Sequence, residues 1–421
     1  MIQDSLTQPF AILLLQIIAI ITIARIFGFF LRKIGQPSVI GEVIAGIVLG
    51  PSLLGMWLPE YAEFLFPKTS LPNLQLLSQI GLVLFMFIVG MELDLKLLKT
   101  KIRHAVVISH ASIIIPYALG MGLAYFLYSK FAPENISFIA FGLFMGITMS
   151  ITAFPVLARI IQERGMRNTE LGTLAVTCAA IDDVTAWCIL AAVIAFVQSG
   201  LFISSIPTIV FAAIYVIVML RIVKPLLNRY LVIHQKEEGL NLNTFTLVIA
   251  ILLTSSYITE VIGIHALFGA FLAGTIMPQI FNFRKIFTEK IEHVSLGLLL
   301  PLFFAFSGLR TQIGLLDNLQ MWGIFLIVLF VAVIGKFGGS MFAARLVGQN
   351  WEDSLRIGAL MNTRGLMELI VLNIGYDLGI ITPIVFTMLV LMALVTTFMT
   401  VPILDLIDHL FKNGPKGHTV S

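Results

Sequence analysis

From Pro9 to Leu31 the chain is apolar except for one charge, Arg25, and windows of similar length recur almost to the C-terminus. A bilayer core offers no water to a backbone N–H or C=O, so each such window must bond internally and is read as a helix. The windows lie at 9–31, 37–54, 73–91, 103–128, 136–161, 170–198, 201–226, 244–262, 264–279, 291–310, 319–346, 353–377 and 382–409. They predict an all-α polytopic membrane protein of about 13 transmembrane helices. Only 12% of the 421 residues are charged, which leaves no segment for a soluble regulatory domain. One membrane domain over 1–421 is therefore expected.

Several function classes drop out on the same grounds. Cys178 and Cys188 fall inside one apolar window, so they support neither a disulfide framework nor a zinc site. The net charge of +3 comes from basic residues scattered between windows, which is no footprint for nucleic acid. No Gly-rich phosphate loop or dinucleotide fingerprint occurs, so neither ATP-driven transport, nor an enzyme, nor a bound cofactor is expected. The first window is span-length and ends in Arg32 and Lys33, unlike a cleavable signal peptide.

The basic residues set an expected orientation. Arg32, Lys33, Lys96, Lys99, Lys101, Arg103, Arg159, Arg164, Arg167, Arg221, Lys224, Arg229, Lys236, Arg284, Lys285, Lys290, Arg345, Lys412 and Lys416 fall on one side of a thirteen-span chain. Lys68, Lys130 and Arg310 fall on the other. The expectation is a multi-pass protein of the cell (inner or plasma) membrane with the N-terminus outside and the C-terminus cytoplasmic.

A repeat also shows. Gly41-Glu-Val-Ile-Ala-Gly46, ending at Pro51, echoes Gly269-Ala-Phe-Leu-Ala-Gly274, ending at Pro278. Gly81-Leu-Val-Leu-Phe-Met-Phe likewise echoes Gly297-Leu-Leu-Leu-Pro-Leu-Phe. These pair the second span with the ninth and the third with the tenth. An odd displacement reverses the direction of crossing, so repeats over about 37–198 and 264–409 have inverted topology, as in many secondary transporters.

The same register pairs the fifth span with the twelfth, and both have polar, interrupted interiors. The fifth carries Thr148-Met-Ser-Ile-Thr-Ala-Phe-Pro155 and the twelfth Asn362-Thr-Arg-Gly365. Unwound backbone at membrane depth is tolerated only where it lines a cavity or is buried in protein, so both breaks mark a candidate ion site unless each is a structural kink. Arg364 stands where it can balance the negative ends of half-helices.

Asp182 and Asp183 lie about a dozen residues into the sixth span, near the bilayer centre at about 1.5 Å per residue. An intramembrane acid must titrate, pair or bind a cation. Successive helical positions point about 100° apart, so one carboxylate faces the ion and the other a neighbour; Asp183 is assigned as the direct ligand. Lys336, in the middle of the eleventh span, is a natural partner for Asp182. If cation entry releases Lys336 to lose its proton, two protons move against one cation and transport is electrogenic; otherwise the pair is a structural salt bridge. Arg25 and Glu42 flank the turn at Arg32 to Gln36 at similar depth and are expected to neutralise each other. Glu42 is alternatively available to Arg364, and Glu368 lies one helical turn beyond that arginine.

At these residues the chain resembles the monovalent cation:proton antiporter-2 family, above all its CHX branch of cation/H+ exchangers, with the bacterial Kef systems as cousins. The resemblance is carried by Gly41-Glu42 through Pro51, Ser150-Ile-Thr-Ala-Phe-Pro-Val-Leu-Ala-Arg159, Asp182-Asp183-Val-Thr-Ala-Trp187 and Asn362-Thr-Arg-Gly-Leu-Met-Glu-Leu-Ile-Val-Leu-Asn373. It implies the NhaA-type fold, with a dimerisation domain beside a core domain containing two crossing discontinuous helices. It further implies that Asp183 is the essential carboxylate and Asp182 its partner, that Thr152, Ser150 and nearby backbone are supporting ligands, and that Lys336 is the basic residue of electrogenic members. A homodimer is implied too. The transported species are Na+ or K+ and H+.

Three other readings compete with cation/proton antiport by alternating access. A cation channel requires a continuous pore, and a sodium-coupled organic solute transporter an extra polar cavity. A non-transporting membrane sensor would tolerate loss of Asp183.

Overall fold

The computed structural model describes residues 8–92, 102–166, 169–199, 202–234, 241–278 and 283–412, and every regular element among them is helical. The principal helices are α1 (Pro9–Lys33), α2 (Ser38–Leu49), α3 (Leu71–Glu92), α4 (Ile102–Phe131), α5 (Phe138–Ser150), α6 (Phe154–Glu163), α7 (Glu170–Ser199), α8 (Phe202–Val218) and α9 (Lys224–His234). They continue as α10 (Leu242–Ile262), α11 (Ala266–Thr275), α12 (Phe283–Val294), α13 (Leu300–Leu309), α14 (Leu319–Val333), α15 (Gly339–Leu346), α16 (Trp351–Met361), α17 (Leu366–Asp377) and α18 (Pro383–Lys412). Single π-helical turns, Met219–Val223, Ser295–Leu299 and Ile334–Gly338, join α8 to α9, α12 to α13 and α14 to α15.

Among the described residues, ten helical segments are long and apolar enough to cross a membrane, counted through those π turns and, for Ser38–Trp57, through a short turn at 50–53. Three of the thirteen expected windows are filled otherwise. The window at 264–279 holds the short α11, while those at 136–161 and 353–377 are each divided into two half-helices, α5/α6 and α16/α17. Among the basic residues used to orient the chain, Lys96, Lys99, Lys101, Arg167, Lys236 and Lys416 lie outside the described residues, as do the side chains of Arg159 and Lys412.

The helices gather into two compact units, each drawing on both halves of the chain. The first holds most of α1 and α2, then α3, the end of α7 from Trp187, and α8 to α13. Its core packs Ile20, Leu49, Leu74, Leu299, Leu302, Ala305, Phe306 and Leu309 together. Glycine sets its closest helix crossings. A Cβ on Gly46 of α2 would collide with the Ala305 carbonyl of α13, and one on Gly308 with the Val43 carbonyl. Elsewhere a Cβ on Gly90 of α3 would strike the Phe271 carbonyl of α11, and one on Gly274 the Phe87 carbonyl. Small residues let backbones approach in this way. The spans paired by sequence thus pack crosswise, α2 on α13 and α11 on α3.

The second unit holds α4, α5, α6, the first part of α7 as far as Ala186, and α14 to α18. Here the two breaks meet. Ile151 to Ala153 are unwound, Ile151 being extended, and the proline at 155 falls in the first turn of α6, where a missing N–H breaks no helical bond. The other break ends at Gly365 with φ +144°, a conformation open to glycine alone. The Ala153 N–H donates to the Thr363 carbonyl at 3.0 Å, tying one break to the other. Threonines of α18 hold the second break in place, Thr397 donating to the Arg364 carbonyl at 2.7 Å and Thr400 meeting Thr363 at 3.2 Å.

Three prolines within helices, Pro116, Pro301 and Pro402, follow one rule. A proline cannot donate to the carbonyl four residues earlier, so that carbonyl must find another donor. Pro116 frees Ser112, whose carbonyl accepts from Lys336 at 2.8 Å. Pro402 frees Phe398, which accepts from Gln36 at 3.3 Å. Pro301 frees Gly297, which accepts from Arg25 at 3.2 Å. The last bond gives Arg25 a structural role at the carbonyl that Pro301 leaves open.

Candidate ion-binding site

Four donors converge on Asp182, which is fully buried. Ser109 of α4 donates to Oδ1 at 2.5 Å, and Ser112, one turn on, to Oδ2 at 2.6 Å. Thr152 donates to Oδ2 from the first break at 2.7 Å, and Lys336 Nζ completes the set at 2.9 Å. Both partners of this ion pair are shut away from solvent. Lys336 sits in the π turn Ile334–Gly338, a local widening that is frequent at functional sites. Neighbouring Gly335 packs against Pro116. Besides Asp182, the ammonium donates to the carbonyls of Ser112 and Ser150, so its three protons all have acceptors.

Asp183 is the opposite case. It is 2% exposed, and neither carboxylate oxygen has a hydrogen-bond partner. The first amide of α6, that of Phe154, is turned toward it without completing a hydrogen bond. The N-terminal end of α6 thus lies beside Asp183 while leaving both of its oxygens open.

The other half-helix end carries the complementary arrangement. The last carbonyls of α5 would concentrate negative charge at the break, and two cations take them. Arg364 donates to the Thr148 carbonyl at 2.7 Å and the Met149 carbonyl at 2.6 Å, while Lys336 takes Ser150. Arg364 also pairs with Glu368 at 2.9 Å, the i, i+4 neighbour on α17, with both side chains fully buried.

The structure therefore brings Asp182, Asp183, Thr152, Lys336, Arg364 and Glu368 into the unit that contains the breaks. Ser150 joins through its backbone: its hydroxyl is turned to the Gly146 carbonyl at 2.7 Å and the Ile113 carbonyl at 3.2 Å. Arg25 and Glu42 belong to the other unit. Ser109 and Ser112 were not singled out by sequence, though their i, i+3 spacing within an apolar span, just ahead of Pro116, is the signal that marks them.

The model of the family described as sodium/hydrogen exchanger, transmembrane, matches residues 18–406. The chain belongs to this family. It is 42% identical over 398 residues to the Na(+)/H(+) antiporter NhaS4 of Synechocystis sp., covering 94% of this chain and 97% of that protein. To the cation/H(+) antiporter 17 of Arabidopsis thaliana it is 40% identical over 404 residues, 95% of this chain and 49% of that one. To the K(+)/H(+) antiporter 1 of Saccharomyces cerevisiae it is 31% identical over 409 residues, 95% of this chain and 47% of that one. The chain thus spans nearly all of the cyanobacterial relative and about half the length of the plant and yeast relatives. Its fold is that of the sodium proton antiporter MjNhaP1 from Methanocaldococcus jannaschii, with a TM-score of 0.66 at 14% identity, over 94% of this chain and 95% of that one.

Proposed function

We propose that the chain is a secondary-active antiporter exchanging a monovalent cation, Na+ or K+, for protons, with Asp183 as the site where the two compete. The observation that carries this reading is the contrast between adjacent carboxylates: Asp182 is saturated by four donors, whereas Asp183 is buried with both oxygens open. A buried carboxylate in that state is neutralised by a bound cation or by a proton, and one site that takes either but not both couples the two fluxes. Charge balance supports it. Three buried carboxylates, Asp182, Asp183 and Glu368, face two cations, Lys336 and Arg364, so the set lacks one positive charge. A monovalent cation or a proton supplies it.

Lys336 extends the scheme. Its ammonium is held by Asp182; a cation that draws on Asp182 as well as Asp183 weakens that hold and releases the Lys336 proton. Two protons then leave for one cation entering, and each cycle moves net charge. Thr152 links the pair to the first break, so rearrangement of that break during alternating access alters the donors at Asp182. The crosswise glycine packing of α2, α3, α11 and α13 supports repeats of inverted topology over about 37–198 and 264–409. The proposal includes a homodimer in the cell membrane, with the N-terminus outside and the C-terminus in the cytoplasm.

The test is proton flux in proteoliposomes loaded with a pH-sensitive dye and challenged in turn with Na+, K+ and Li+. Cation-dependent collapse of an imposed pH gradient is expected, and it accelerates when valinomycin with K+ on both sides clamps the membrane potential and relieves the charge imbalance. A gradient that no cation dissipates would overturn the antiport reading, and flux indifferent to membrane potential would overturn the two-proton scheme.

A further inference from the structure

Asn362 closes half-helix α16 at the start of the second break and is fully buried. Neither its amide oxygen nor its amide nitrogen has a hydrogen-bond partner. A buried amide left unpaired at both ends is costly, so an apolar side chain of similar size would be the cheaper occupant. Its surroundings explain what the amide is for. Residues on both sides of it touch the first break: the Met361 carbonyl lies 3.4 Å from the Thr152 hydroxyl, and the Thr363 carbonyl accepts from Ala153 at 3.0 Å. Thr152 is the residue that donates to Asp182, and the amide of Phe154, two residues on, is turned toward Asp183. Asn362 thus belongs to the crossing of the two unwound segments, and Asp183, on α7 next to Asp182, adjoins the first of them; both are buried polar side chains with open valences.

We infer that Asn362 is a ligand of the transported cation, contributing its amide oxygen where Asp183 contributes a carboxylate; this rests on the antiport reading given above. The chemistry assigns the two residues different duties. A carboxylate accepts a cation or a proton, so Asp183 alone cannot favour one over the other. An amide oxygen is a good ligand for a monovalent cation but does not bind a proton in water's pH range, so Asn362 strengthens only the cation-bound state. Its fixed reach from the end of α16 also makes it sensitive to ion size, so it contributes to discrimination between Na+ and K+.

The test compares wild type with Asn362→Leu and Asn362→Ala in the full chain, reconstituted in proteoliposomes and titrated with Na+ and K+ at saturating proton gradient. Leucine keeps the volume and removes the oxygen. A ligand role raises the half-saturating concentration about tenfold or more, the factor expected for one bond to a charged species, with the maximal rate within about twofold of wild type. The Na+ to K+ ratio of half-saturating concentrations shifts as well. If Asn362 merely fills space, Asn362→Leu melts at or above the wild-type temperature and binds both ions as before, which overturns the inference. Asn362→Ala decides the matter by the same two readouts where the leucine variant is not recovered. Wild type without cation-dependent flux refutes the antiport reading itself; wild-type flux with an unchanged variant refutes only the role of Asn362.

Discussion

The two units answer the same local defect with different consequences. In the first, Pro301 strips the Gly297 carbonyl of its donor and the exposed Arg25 covers it. In the second, Pro116 strips the Ser112 carbonyl and Lys336 covers it, but with the lysine fully buried and already bound to Asp182. At an exposed position a freed carbonyl is a small structural matter. In the interior of a unit it becomes part of a cation site, because the group that satisfies it carries charge that must be balanced nearby. The first unit closes its helix crossings through glycine and an aliphatic core, and the second leaves backbone unwound and spends its interior on charge. Rigidity and ion chemistry are thus built into different parts of one chain.

The largest expected effect belongs to the glycine crossings. Gly46→Leu drives a side chain into the Ala305 backbone, which cannot move aside as a side chain would. Overpacking costs about 1–3 kcal/mol where neighbours can adjust, and here it exceeds that range. The variant is expected not to elute as a folded species on size-exclusion chromatography; wild-type behaviour would show that the first unit is not held by backbone contact.

Next comes Lys336→Met, which leaves Asp182 with three hydroxyls and no cation. Removing one partner of a buried pair costs about 3–5 kcal/mol, and adding Asp182→Asn is expected to recover much of it. Thermal unfolding of the single and double variants measures the coupling, and an additive result would remove Lys336 as the counter-charge. The smallest effect is at Arg25. Arg25→Met is expected to cost at most about 1 kcal/mol, and Pro301→Ala in the same background, which returns an N–H to Gly297, is expected to cancel the loss. A large loss at Arg25 would erase the distinction between the two units.

Much of this was legible in the sequence because membrane burial makes polar residues conspicuous. Asp182, Asp183, Lys336 and Arg364 stand out against apolar neighbours, and the unwound segments announce themselves through Pro155 and Gly365. What residue counting could not resolve was side-chain direction. Depth alone does not show that Arg25 caps the carbonyl that Pro301 leaves free. The family resemblance names Ser150 among the supporting ligands without saying which atom faces the site, and the structure turns the backbone carbonyl of Ser150 to Lys336. Ser109 and Ser112 were lost in a helix whose serines need no special reason, and the open amide of Asn362 is a property of packing rather than composition. The proline rule itself is readable from sequence, since the freed carbonyl is always four residues upstream, but which side chain answers it depends on tertiary structure.

The central claim is that Asp183, and not its saturated neighbour, is the group for which cation and proton compete. The most direct test is cation-driven proton flux from proteoliposomes containing wild type or Asp183→Asn, measured over a series of pH values. In wild type the half-saturating cation concentration should rise as pH falls, because protons occupy the carboxylate the cation needs. Asp183→Asn should fold with wild-type thermal stability and lose flux by more than about a hundredfold, the scale set by removing the charge from a buried site. An Asp183→Asn protein that still exchanges cations for protons, with the same pH dependence, would contradict the account.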